Sequence, residues 1–317
     1  MLHIKQLRTL FQSGSRTVTA VDGVSITIPP SKMVGLVGES GSGKSVTALS
    51  TMRLLPKSAT TTGKVEWNNQ NILTLKEPEL RSIRGKEIAL IFQNPLAALN
   101  PVFTIGNQMI ETICLHHPHL NKHAAKNRAI ELLSQVHIPD PKHRINQYPH
   151  ELSLGMCQRV MIALTISMNP QLLIADEPTA SLDVTVQSQI MTLIKEIQST
   201  YEMSVLLISH DLGIIAQNCD YIYIMYLGRV VEEGPPEVIF TQPQHPYTQA
   251  LIAAIPDPNP NNKSTPNLIE GDIPSPLNLP KGCRFHTRCP HVMPKCIEYD
   301  PTLTNNGTST SACFLNT

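Results

Sequence analysis

The chain has 317 residues, with 25 Lys+Arg against 25 Asp+Glu, enough for one large domain with an extension or for two modest domains. The balanced charge argues against nucleic acid as the main partner, because no basic surplus exists to neutralise phosphates. The N-terminus, Met1-Leu2-His3-Ile4-Lys5-Gln6, lacks the apolar core of a signal peptide, and no run approaches eighteen apolar residues, so no span of a membrane is expected.

In chain order, residues 1–37 alternate short apolar runs with turn residues and end in Met33-Val34-Gly35-Leu36-Val37, which reads as a buried strand. A glycine-rich turn follows, and Val46 to Leu55 reads as a helix that Pro56 stops. Residues 63–75 and 87–92 resemble strands. Residues 104–137 carry the helical period with a polar break near His116 to Lys122, where His116, His117, His119 and His123 read as an exposed loop rather than a metal site. A helix is expected at 157–168 and a strand at 171–175. In 184–200, Ile190, Leu193, Ile194 and Ile197 fall at i, i+3, i+4 and i+7, an amphipathic helix. Val205 to Ser209 is another buried strand. This alternation indicates an α/β domain around a largely parallel sheet, with a helical subdomain at about 97–160. Seven prolines between Pro256 and Pro280 mark an extended linker.

Three clusters carry chemistry. Gly38-Glu39-Ser40-Gly41-Ser42-Gly43-Lys44-Ser45 fits G-x-x-x-x-G-K-[ST] between a strand and a helix. Its backbone N–H groups and the helix start suit phosphate, Lys44 reaches the β- and γ-phosphates, and the Ser45 hydroxyl takes a place on Mg²⁺. Asp176 and Glu177 end an apolar strand. There they can hold Mg²⁺ through water and polarise an attacking water, or merely cap the next helix. Ser153-Leu154-Gly155 opens a helix 23 residues before Asp176. Finally, four of seven cysteines lie in the last 35 residues, as Cys283-x5-Cys289-x6-Cys296-x16-Cys313. Zinc, an iron–sulfur cluster and unligated thiols all remain open; the spacing lacks the C-x2-C of common zinc sites.

Gly38 to Ser45, Phe92-Gln93, the Ser153 segment, Leu172 to Glu177, Ser181 to Asp183 and His210 occur in the order found in ABC transporter ATPases, and the chain resembles that family over residues 1–240. Ile91-Phe92-Gln93-Asn94-Pro95, Tyr148 to Ser153, His245-Pro246-Tyr247-Thr248 and Gly282-Cys283-Arg284-Phe285 narrow the resemblance to the oligopeptide/dipeptide permease ATPases. The resemblance implies a P-loop NTPase cassette with a RecA-like core, an antiparallel β subdomain and a helical subdomain, plus a Cys-rich extension at 241–317. It implies ATP and Mg²⁺ as ligands, with Gln93 sensing the γ-phosphate and reaching the metal, and His210 contacting the γ-phosphate. Ser153 and Gly155 would meet the nucleotide of a second ATPase subunit, and Phe11 would stack on adenine. A [4Fe–4S] cluster on the four cysteines is suggested in the same way.

The implied activity is ATP hydrolysis driving import of di- or oligopeptides. Two separate transmembrane permease subunits and an extracytoplasmic binding protein would assist, with the chain peripheral on the cytoplasmic face of the bacterial inner membrane. Relatives that carry nickel or other small solutes give an alternative, as does a mainly regulatory ATP-binding half. Leu154 stands where the family usually has glycine, adding bulk and restricting the backbone; Cys157 replaces a usual arginine, removing a charge beside the phosphates. With Lys44, Asp176, Glu177 and His210 intact, a heterodimer with asymmetric sites is expected. Chromosome-associated relatives need a long coiled coil between phosphate loop and acidic strand, and only 132 positions separate Lys44 from Asp176.

Overall fold

The computed structural model describes residues 1–14, 16–255, 269, 271–307 and 309–316; much of the expected proline-rich linker lies outside the described residues. The elements run β1 (Leu2–Ser13), β2 (Arg16–Ile28), β3 (Met33–Val37), α1 (Lys44–Thr51), β4 (Ala59–Trp67), β5 (Gln70–Asn71), α2 (Glu77–Ile83), β6 (Ile88–Ile91), α3 (Pro95–Ala98) and α4 (Ile105–His116). Then come α5 (Lys122–Gln135), α6 (Pro141–Arg144), α7 (Leu154–Ile166), β7 (Leu172–Asp176), α8 (Val184–Tyr201), β8 (Ser204–Ser209) and α9 (Leu212–Asn218). The last are β9 (Tyr221–Tyr226), β10 (Arg229–Gly234), α10 (Pro236–Thr241), α11 (Pro246–Ala253), α12 (Pro294–Glu298), β11 (Thr304–Asn305) and β12 (Thr310–Ser311). They form two compact units, residues 1–75 with 207–317, and residues 76–206.

In the first unit, β1 pairs antiparallel with β2 and β4, from Leu2↔Ile28 and Leu2↔Trp67 onward. Leu2, Ile4, Leu7 and Thr9 are buried. The register shift between Ile4 and Leu7 restores the inward face after the Lys5-Gln6 pair breaks strict alternation. The expected strand at 63–75 is instead a hairpin. Trp67 pairs with Gln70 across Asn68 and Asn69, whose φ values are 48° and 65°. Two left-handed central residues give a turn that matches strand twist, and asparagine tolerates that conformation. β3, wholly buried, runs parallel to β9, which turns back antiparallel into β10. Helix α1 begins at Lys44 rather than Val46 and ends at Thr51, before Leu55.

In the second unit, β6 runs parallel to β7 with Ile91 opposite Ala175. The helical period at 104–137 resolves into α4 and α5, each started by a side-chain cap: Thr104 accepts from Asn107 N–H and Asn121 from Ala124 N–H. The histidine group lies at this junction, with the His117 and His119 rings 5.7 Å apart. On α8, Ile190, Leu193, Ile194 and Ile197 are all buried as their spacing predicts. Each buried side chain of this kind contributes about 1.5–3 kcal/mol, against about 1 kcal/mol for a cap, so burial of the apolar stripe holds the helix. No helix among the described residues is long and apolar enough to cross a membrane.

Candidate nucleotide site

The phosphate loop in the first unit is shaped by two glycines. Gly41 and Gly43 have φ of 77° and 102°, values that side-chain-bearing residues rarely adopt. Gly43 immediately precedes α1, and its carbonyl accepts from both the N–H and the hydroxyl of Thr47, at 2.9 Å each. Ser42 donates to Glu39 O and accepts, through its own carbonyl, from Gly228 N–H at 2.8 Å, so β9–β10 props the loop from behind. Lys44, 4% exposed, folds its ammonium over the loop and donates to the carbonyls of Gly38 (2.8 Å) and Glu39 (2.9 Å). The positive end of α1 and the Lys44 ammonium therefore point to one place, which suits an anion. His210, exposed, follows β8; its neighbour Asp211 caps α9 by accepting from Gly213 and Ile214 N–H. Phe11 is half-buried on β1, opposite Val18 and Ala59.

The second unit brings Gln93 and Glu177 together. With Ile91 opposite Ala175 in parallel strands, two more residues on each strand place Gln93 level with Glu177. The Gln93 amide donates to the Glu177 carboxylate at 2.7 Å. Asp176, the last residue of a fully buried strand, is 8% exposed. Glu177 has φ of 47°, a left-handed geometry that costs roughly 1–2 kcal/mol for a side-chain-bearing residue. Such strain is retained where surrounding structure imposes it and clusters at functional positions. Asn94 accepts from Leu96 and Ala97 N–H, fixing the chain just after Gln93.

Ser153 caps α7 by accepting from Met156 N–H at 3.3 Å. Gly155 packs against the first turn of α8: a Cβ there would lie 2.9 Å from Val186 Cγ1. Leu154 is the first helical residue, half-buried, and is absent from the residues with positive φ. The expected backbone restriction is therefore not a penalty, which leaves only its bulk. Cys157 is fully buried and its thiol donates to Pro149 O at 3.3 Å, so the thiol itself packs within the second unit.

Cys283, Cys289, Cys296 and Cys313 line one small, enclosed cavity with His245, Phe285 and Phe314. All four are unpaired by disulfides. Burial pushes the Cys283 thiol up to about 11 and raises Cys289 and Cys313 too. Among the described residues, no group of three or more His, Cys, Asp or Glu is disposed to hold a single metal ion.

Comparison with known proteins agrees with this architecture. The family described as ABC transporter matches residues 21–180, and that described as oligopeptide/dipeptide transporter, C-terminal region, matches 231–296. A Brucella abortus (strain 2308) protein named for peptide import and ATP binding is 46% identical over 314 residues, 99% of this chain and 94% of the relative. The dipeptide transport ATP-binding protein DppD of Escherichia coli (strain K12) is 43% identical over 304 residues, 96% of this chain and 92% of its own length. Among solved structures, the dimeric post-hydrolysis state of the ATP-binding cassette MJ0796 with ADP and Pi superposes with a TM-score of 0.67 at 26% identity, covering 74% of this chain and 99% of that one. With the phosphate loop, the acidic strand end and the Ser153 helix start all on one cassette fold, this chain belongs to the ABC transporter family of ATP-hydrolysing cassettes.

Proposed function

We propose that this chain is the ATP-hydrolysing subunit of an importer for di- or oligopeptides. The observation that carries the reading is the pairing, in one chain, of an ABC cassette with the oligopeptide/dipeptide C-terminal region. We assign residues 1–240 to the cassette, with its helical subdomain at about 97–160, and 241–317 to the extension. The chain works beside a second, non-identical ATPase subunit. Two permease subunits form the path and an extracytoplasmic binding protein delivers the solute, which places the chain peripherally on the cytoplasmic face of the membrane. Purification with its membrane partners and assay of ATPase stimulation by loaded binding proteins tests this. Peptide-loaded receptor should stimulate turnover; stimulation only by a metal-loaded receptor would replace the solute class.

In this reading the loop from Gly38 to Ser45, with Lys44, holds the β- and γ-phosphates. Ser45, Gln93 and Asp176 each carry an oxygen of the hard kind that Mg²⁺ takes and would hold the ion, whose charge would stabilise the phosphates. Glu177 accepts a proton from the attacking water, and His210 orients the γ-phosphate. Phe11 is the aromatic candidate for adenine. Ser153 and Gly155 serve the nucleotide held by the partner subunit. Leu154 then burdens the partner's site and not this chain's own. Leu154→Gly is expected to raise ATPase activity of the assembled transporter or leave it unchanged, and loss of transport in that variant would show that the leucine is needed.

The four cysteines fit an iron–sulfur cluster. They enter one apolar cavity from separate segments, which brings four soft thiolate donors to one place. The spacing along the chain lacks the C-x2-C of common zinc sites, and in a cluster each iron takes one thiolate. A cluster bound there would tie together the separate segments of the extension that carry the four cysteines. Anaerobically purified protein should contain iron and absorb visible light. An iron-free protein whose C-terminal region resists proteolysis equally well would remove this assignment.

A further inference from the structure

The His245-Pro246-Tyr247-Thr248 segment and the turn from Cys283 to Cys289 supply nothing to the hydrolytic set above, yet both reach the phosphate loop. Glu39, the loop's second residue, donates its backbone N–H to the Tyr247 hydroxyl at 2.9 Å. Its carboxylate receives a two-pronged pair from Arg288, Nη1 to Oε2 at 2.8 Å and Nη2 to Oε1 at 3.1 Å. The Arg288 side chain is 5% exposed and that of Glu39 23%. Arg288 Nη1 also lies 3.4 Å from the Tyr226 hydroxyl, with the guanidinium 5.9 Å from that ring's centre.

Both clamps are themselves anchored. Tyr247 is fully buried, its ring 4.7 Å from Tyr226 and 5.4 Å from Phe285. Its N–H donates to His245 Nδ1 at 3.0 Å, while the buried Glu232 carboxylate accepts from Gln244 and His245 N–H. Arg288 N–H donates to Phe285 O at 3.0 Å, inside the turn that carries Cys283 and Cys289.

The electrostatic need for Arg288 follows from where Glu39 sits. A loop that receives a nucleotide triphosphate carries a carboxylate within its own span, and two like charges at this range repel unless one is compensated. A planar guanidinium locked bidentate on that carboxylate removes the repulsion and fixes the loop at once, which a mobile surface cation does not. We infer that Arg288 and Tyr247 are positioning residues for ATP binding, so that the C-terminal extension completes a phosphate loop lying 249 positions earlier in the chain. The inference rests on the reading of residues 38–45 as the phosphate loop.

Full-length chain in its assembled transporter provides the test, with equilibrium binding of a fluorescent ATP analogue and KM and kcat for ATP as readouts. Arg288→Met should raise the dissociation constant and KM about tenfold while kcat changes less than about threefold. The double variant Arg288→Met/Glu39→Gln should recover most of that affinity, because the charge needing compensation is gone, and Arg288→Lys should fall between. A merely structural arginine would lower the folded fraction, leave the affinity of what remains unchanged and gain nothing from Glu39→Gln. Wild-type affinity in Arg288→Met, or a double variant no tighter than the single, overturns the inference. Should Arg288→Met fail to fold, Arg288→Lys and Tyr247→Phe carry the same test, each expected to weaken binding severalfold; wild-type affinity in both overturns it. Lys44→Ala separates the two readings: normal binding in that variant removes the phosphate-loop assignment itself, whereas lost binding there beside normal binding in Arg288→Met removes only the role of the extension.

Discussion

Glu177→Gln is expected to lower ATP turnover by about 10²–10⁴-fold while ATP affinity stays within about threefold. The substitution is close to isosteric and isolates one property. An amide oxygen still accepts from the Gln93 amide, so the 2.7 Å contact survives as a neutral hydrogen bond. The left-handed backbone at φ 47° is no harder for Gln than for Glu. Asp176, buried at the end of β7, is untouched. What disappears is the only acidic proton acceptor that the chain places immediately after that strand. Parallel measurement of steady-state ATPase activity and equilibrium nucleotide binding checks the split. Turnover within tenfold of wild type would mean that water is activated elsewhere, and loss of binding alone would mean that Glu177 serves the nucleotide's ground state.

The parts of this molecule that were legible in the sequence are those encoded by short spacings. The glycine loop, the acidic strand end and the stripe of Ile190, Leu193, Ile194 and Ile197 each lie within a window where one period or one turn fixes the geometry. Gln93 and Glu177 lie 84 positions apart, and only the register of β6 on β7 shows why they meet. The Glu39–Arg288 pair is less legible still. Arg288 stood in the sequence beside Cys289 as one residue of a cysteine-rich tail, and nothing in periodicity points a side chain from there to the loop. The hairpin at Asn68-Asn69 was readable in principle, since consecutive asparagines favour left-handed turns, but the flanking apolar residues suggest a continuous strand.

Gly43→Ala and Gly41→Ala should differ sharply, although both glycines belong to the same loop and both have positive φ. At Gly43 an added Cβ would lie 2.4 Å from the Ala20 carbonyl oxygen and 2.9 Å from Met225 Cε. The nearer atom is backbone in β2, which cannot retreat without dragging β1 and its own hydrogen-bonded partners. The loop must move instead, and with it the N–H groups at the start of α1 and the Lys44 ammonium. At Gly41, φ is 77° but nothing lies within 4 Å of the added carbon, so the cost is the left-handed conformation alone, roughly 1–2 kcal/mol. Gly43→Ala is therefore expected to weaken ATP binding by about a hundredfold or more and to lower stability by about 2–4 kcal/mol. Gly41→Ala should weaken binding no more than about tenfold. Titration with a fluorescent ATP analogue and thermal melting of both variants measure the two effects. Equal losses at the two positions would show that backbone conformation governs the loop and that the Ala20 contact does not.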